Sequence, residues 1–283
     1  MTEAPPAAPA APPPQLAAPA HGAGFGRLLL AEWTKIRSVR STVWSLLLLV
    51  VLTVGLTCLI MTVTVATWNK GSGGGQHVAL IADPVGAILG SGIEFGQLTI
   101  CVLGVIVISS EYSTGVIRAS LLAVPRRIPM LAAKGAVFAA VVFVVGEAVS
   151  FISFFAGSAI LHSHVAVSLT DPGVTRAVIG AGLYLTVLGL FAMAIGGLVR
   201  HTAGSITGVI GFVLVLEPLA QLLPTSVGKH VHAYLPSEAG QLIAQAHQQP
   251  GNLLSPWQGF GVFCAWTAAL LIAAGILLYR RDA

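Results

Sequence analysis

Along the chain, long apolar runs alternate with short polar ones, and six apolar runs are long enough to cross a bilayer, which takes about 20 helical residues. They lie near residues 43–66, 93–110, 135–161, 177–199, 203–223 and 257–279, the second starting as early as Val85. Ahead of the first, "FGRLLLAEWTKIRSVR" (25–40) places Phe25, Leu28, Leu29, Trp33, Ile36 and Val39 on one helical face. Arg27, Lys35 and Ser38 fall opposite, with Arg37 and Arg40 nearer the flanks. That pattern predicts an amphipathic helix along the membrane surface, with Trp33 at interfacial depth. Glu32 projects from the centre of the apolar face, where a carboxylate facing lipid is costly. It is expected to face protein and meet a cation, one from residues 109–130 being a candidate; otherwise the helix rolls and Glu32 reaches water.

Residues 109–130, "SSEYSTGVIRASLLAVPRRIPM", interrupt the apolar sequence between the second and third runs. Glu111 and Tyr112 end the span, and Thr114 and Gly115 turn the chain. Thr114 also caps a short helix, "GVIRASLLAV", that stops before Pro125. Val116, Ile117, Leu121 and Val124 give this helix an apolar side. Arg126, Arg127 and Lys134 fix the return at the membrane surface. A ten-residue helix is marginal in water, so something must hold it. Either it lies on its own protein and lipid, or it docks a partner, with Val116, Ile117 and Leu121 filling a groove and Arg118 pairing at the rim.

Composition strengthens the membrane reading. Of 283 residues, 55% are hydrophobic and 8% charged, against about 25% charged in soluble domains. An all-α polytopic fold is expected: six transmembrane helices, an N-terminal amphipathic interface helix and a short cytoplasmic coupling helix. Residues 1–24 carry seven prolines and read as a disordered, polyproline-like cytoplasmic tail, without the basic and apolar regions of a signal peptide. The membrane domain is 25–283. With six spans both termini share a side, and that side holds eleven Lys and Arg against three on the other (Lys70, Arg176, Lys229). The positive-inside rule places both termini in the cytoplasm, in a plasma membrane.

The rest of the chain narrows the chemistry. Cys58, Cys101 and Cys264 sit in apolar runs and read as buried small hydrophobes. His162/His164 and His230/His232 are two apart, so each pair would share a face on a strand, but no third ligand is evident and no metal is expected. Neither HExxH nor GxSxG occurs, which makes a membrane hydrolase the weaker alternative. No G-x-x-x-x-G-K-[ST] occurs either, so this chain has no phosphate loop of its own. Two carboxylates lie at membrane depth: Glu147 midway along the third span, and Glu217 towards the outer end of the fifth; Glu94 opens the second. Glu147 leaves a proton-coupled secondary transporter open, although no internal repeat is evident. Gly180, Gly182, Gly189, Gly196 and Gly197 mark the fourth span, and Gly204, Gly208 and Gly211 the fifth, where close packing within the subunit is expected. "RHT" (200–202) forces these two spans to be antiparallel neighbours. In the loop 224–256, Ser237 is expected to cap a helix tucked into the outer leaflet.

Three segments carry a family resemblance. "LLLAEWTKIRSVRSTVWSLL", "SSEYSTGVIRASLLAVPRR" and "YLPSEAGQLIAQA" resemble, in order, the leading helix, the loop after the second span and the segment before the last span of actinobacterial-type ABC type-2 transporter permeases. The resemblance covers residues 25–281 and departs at Ser113, where the family often has a basic or polar residue. It implies a non-enzymatic transport subunit that dimerises, with an identical or a related permease chain. It also implies docking of two copies of a separate ATPase through Glu111, Tyr112, Thr114, Gly115, Val116, Ile117, Arg118 and Leu121. ATP and Mg would bind that ATPase, and this chain would bind no cofactor. No nucleic-acid partner is expected.

Overall fold

A computed structural model describes residues 24–68, 80–115, 127–216, 219, 225–248 and 251–280. It is 86% helical, with no strand among the described residues. The helices are α1 (Phe25–Ser38), α2 (Arg40–Thr67), α3 (Pro84–Ser113), α4 (Arg127–Leu161), α5 (Val174–Val199), α6 (Thr202–Leu214), α7 (Thr225–Ala233), α8 (Pro236–Gln241) and α9 (Pro256–Arg280), with a short 3₁₀ turn at Leu242–Ala244.

Five of these, α2, α3, α4, α5 and α9, are long and apolar enough to span a membrane. The second starts at Pro84, where Asp83 caps it by accepting from the Gly86 amide at 2.9 Å. Glu94 is therefore an exposed residue within α3, not its first turn. The expected fifth span is represented by α6, whose 13 residues make about 20 Å of helix, short of the roughly 30 Å hydrocarbon core. Residues 217–218 and 220–224, including Glu217, lie outside the described residues.

The bundle is built around α5, which packs against α3, α4, α6 and α9. Tyr184, Leu188 and Phe191 of α5 are buried with Ile100, Phe138 and Phe263 from three neighbours. Glycines set the closest approaches. A Cβ on Gly104 of α3 would lie 2.4 Å from the Gly189 carbonyl of α5, and one on Gly92 would lie 2.2 Å from the Thr53 carbonyl of α2. On α2 the buried positions are Thr42, Leu49, Thr53, Thr57 and Met61, while Trp44, Val51 and Leu59 face outward. Small and polar residues inside with aliphatic residues outside is the packing expected where lipid, not water, surrounds the bundle.

At the α5–α6 turn, Arg200 adopts a left-handed conformation (φ 58°), and His201 accepts from the Gly204 amide through Nδ1 at 3.1 Å. The antiparallel α5–α6 pair is as the sequence requires, but its glycine pattern is not. Cβ atoms on Gly208 or Gly211 would meet nothing within 4 Å. These two glycines face away from the subunit, and α6 packs through Ser205, Val209 and Val213 instead. At the opposite end, Ser237 is not the cap: α8 starts with Pro236 after Leu235, and Ser237 is buried. The Pro236–Ala244 segment does tuck inward, with Ala239 and Ile243 fully buried against α5 and α9.

Candidate functional site

The end of the bundle carrying Lys35, Arg37, Arg40, Lys134, Arg200 and Arg280 brings together the two segments that stand out in the sequence. There α1 packs across the start of α4, next to the last turn of α3. Its protein-facing stripe is Leu28, Glu32, Lys35 and Ile36, one side of a helix at spacings of three, four and seven. Phe25, Leu30 and Trp33 are exposed. The apolar arc is thus shared: one edge meets protein and the other is free to meet lipid.

Glu32 is 4% exposed and Lys134 3%. With Lys35 and Glu111 they form a closed ring of alternating charge. Lys134 Nζ donates to Glu32 Oε2 at 2.5 Å and to Glu111 Oε1 at 2.8 Å. Lys35 Nζ donates to Glu32 Oε1 at 2.7 Å and to Glu111 Oε1 at 3.0 Å. Two positive and two negative groups cancel, which is what makes such burial tolerable. Burial alone would raise the Glu32 carboxyl. Lys134 and then Lys35 outweigh it and hold the group below the ordinary value of 4.5. For Lys35, burial pulls down, but hydrogen bonds to Glu32 and Glu111 win and raise it above 10.5. Glu111 Oε2 is buried and accepts no hydrogen bond from the described residues.

Three sequence expectations change here. Glu32 does face protein and meets a cation, but the buried cation is Lys134, beyond residues 109–130. Lys35 is not on a solvated opposite face; one helical turn from Glu32, it is drawn into the ring. Lys134 is not a surface anchor, because its Nζ is enclosed by both carboxylates. A lone lysine inside "MLAAKGAVF" was the available signal: an ammonium in an apolar run needs a buried partner.

The last turn of α3 is stapled to the same end. The Arg200 guanidinium lies 4.9 Å from the centre of the Tyr112 ring and donates to the Leu277 carbonyl of α9 at 3.1 Å. Thr202 Oγ1 donates to Ser109 Oγ at 3.0 Å. Thr114 closes α3, its hydroxyl donating back to the Ser110 carbonyl at 2.7 Å, and Gly115 follows at φ 71°. Val116, Ile117, Arg118 and Leu121 lie outside the described residues. Arg37 is exposed. Between α4, α5 and α9 near this end runs an apolar groove of about 740 Å³, walled by Leu131, Leu190, Met193, Leu271 and Ile272.

The other candidates stand apart. Glu147 lies against α5, where a Cβ on Gly182 would be 2.6 Å from its carboxyl, and neither of its oxygens has a hydrogen-bond partner among the described residues. His162 and His164 sit in a turn after α4, and His230 and His232 on α7; neither pair is on a strand, so neither shares a face in the expected way. His164 lies against Trp68 with ring centroids 4.5 Å apart and planes tilted by 44°, and His232 Nδ1 is 3.5 Å from Glu238 Oε2. Cys101 is buried, with Cys58 and Cys264 partly so. Compared with known proteins, the chain matches no family model and no curated sequence.

Proposed function

We propose that this chain is the permease subunit of an ATP-driven exporter, coupled to a separate ATPase. The supporting observation is the charge ring. It ties α1, the final turn of α3 and the first turns of α4 into one unit, flanking the 116–126 segment on both sides. Force applied to that segment would reach α3 through Glu111 and α4 through Lys134, and α1 would move with them. On this reading the segment docks the ATPase through Val116, Ile117 and Leu121, with Arg118 at the rim. Two permease chains pair with two ATPase copies in the plasma membrane, with both termini and the basic end cytoplasmic, and ATP and Mg bind the partner. The aliphatic groove suits lipophilic cargo, and the subunit itself catalyses no reaction. Coupling is a shift between inward- and outward-facing states, driven by contacts that differ between them.

The test is co-purification and transport in liposomes with the neighbouring ATPase. Leu121→Asp is expected to leave the permease folded but to abolish ATPase association, since removing a central apolar anchor costs about 2 kcal/mol or more. Arg118→Ala is expected to weaken the complex mildly and in a salt-dependent way. Full association and transport by Leu121→Asp would overturn the docking assignment. One observation favours a second reading: Glu147 has no hydrogen-bond partner among the described residues at membrane depth, as in a proton carrier. Transport by the chain alone under an imposed proton gradient, lost in Glu147→Gln, would establish that reading in place of the first.

A further inference from the structure

The apolar groove between α4, α5 and α9 has its polar side chains at one end. Leu190, Met193 and Leu271 wall the deep part, and Tyr279 and Arg280 stand at the mouth, where α9 ends at the basic end of the bundle. Tyr279 is 73% exposed and Arg280 is exposed with it. Among the described residues no carboxylate lines the groove. An occupant that matches these walls has an apolar body and a negatively charged head at one end.

The groove opens sideways. Ile128, Ile272 and Ile276 on its rims are exposed, while Met193 is buried. Ala132, Gly135 and Ala136 leave the α4 wall without bulk, and α4 and α9 pack on α5 far more than on each other. In a bilayer such rims meet lipid, and an empty groove would forfeit the dispersion contacts of its lining. Its length matches one leaflet. From Arg280 back to Leu271 it follows about 14 Å of α9, and from Ile128 to Ala139 about 16 Å of α4. Each is close to half of the roughly 30 Å hydrocarbon core. An arginine and a tyrosine at the end of an apolar helix mark the headgroup level.

We infer that this groove holds one acyl chain of an anionic phospholipid from the leaflet at the basic end, with its phosphate paired to Arg280. A choline lipid offers the same chain, but it brings a cation to a mouth with no carboxylate to meet it. The inference holds whether or not the chain is a permease, and its test does not involve transport.

The full chain is delipidated in detergent and offered equal amounts of dioleoyl phosphatidylglycerol and dioleoyl phosphatidylcholine, and its retained lipid and its mass are read by native mass spectrometry. Wild type is expected to retain the glycerol lipid about fivefold over the choline lipid, the effect of one arginine on an anionic headgroup. Arg280→Gln is expected to bring the ratio to about one. Arg40→Gln, which removes an exposed arginine outside the groove, is expected to keep the preference. Ala136→Phe, at an exposed position on the α4 wall, fills the groove and is expected to lose the bound lipid. Equal retention of both lipids by wild type, or lipid retained undiminished in Ala136→Phe, overturns the inference. Equal loss of preference in Arg40→Gln and Arg280→Gln would reduce it to diffuse attraction to the basic end and overturn the site. A lipid-free dimer that Ala136→Phe turns into monomers would make the groove an interface between copies and overturn the lipid assignment.

Discussion

At Lys134 an ammonium is enclosed by two carboxylates from different helices. Replacing it with an apolar residue of similar length leaves Glu32 and Glu111 sharing Lys35 alone. Breaking a buried pair by removing one partner costs about 3–5 kcal/mol. Lys134→Met is therefore expected to lower the melting temperature in detergent far more than Lys35→Ala, whose side chain is 38% exposed and whose pairs are screened. Lys134→Met combined with Glu32→Gln is expected to recover part of the loss, because the two changes are coupled. Equal effects of the two single changes would remove Lys134 from the centre of the ring.

The same residues set a pH dependence. The Glu32 carboxyl is held below 4.5 when folded. Its contribution is fully present above the unfolded value and is lost as pH falls through the lower folded one. The Lys35 ammonium is raised above 10.5. Its contribution is present below that value and is lost as pH rises through the higher folded one. Thermal stability against pH is expected to show a plateau across neutral pH with losses at both ends, and Glu32→Gln should shrink the acid-side loss. An acid limb unchanged in that variant would mean other carboxylates carry it.

At the scale of the helices, glycine means two different things in this bundle. Gly104 is required by contact, since a Cβ there would press on the Gly189 carbonyl and on the Ala192 methyl, 2.9 Å away. Gly104→Ala is expected to lose about 1–3 kcal/mol by forcing α3 off α5. Gly208 has open space, and an alanine there gains about 0.5–1 kcal/mol of helix propensity. Melting temperatures of the two variants are expected to move in opposite directions. A loss of stability or of self-association in Gly208→Ala would mean that the outward face of α6 is covered in the assembled protein.

For the whole molecule the open quantity is the number of crossings. Five helices have the length and apolarity to span, and α6 with the residues after it makes the sixth on the topology proposed above. Six crossings put both termini on one side; five put them on opposite sides. Protease-sensitive tags at the two ends are expected to be cut together, in inside-out vesicles and not in right-side-out ones. Cutting in opposite vesicle types would leave α6 short of crossing.

The hydrophobic pattern by itself determined the helical class, three of the spans to within a few residues at both ends, and the amphipathic α1. These follow from local chemistry: a segment needs about 20 apolar residues to cross, and a period of 3.6 is visible without knowing any neighbour. The α5–α6 pairing was equally legible, because a three-residue turn leaves the chain no alternative. The charge ring was only half legible. Glu32 on an apolar stripe announced that it needed a cation. Which cation depended on how α1 crosses α4, and Lys35 was misplaced because one helical face can hold both a lipid edge and a protein edge. The outward turn of Gly208 and Gly211 was hidden for the same reason: a small-residue stripe says that close approach is possible, and only packing decides which neighbour takes it. The second oxygen of Glu111 belongs wholly to the tertiary structure, since it is left without a donor among the described residues only once Lys35 of α1 and Lys134 of α4 have both chosen the other one.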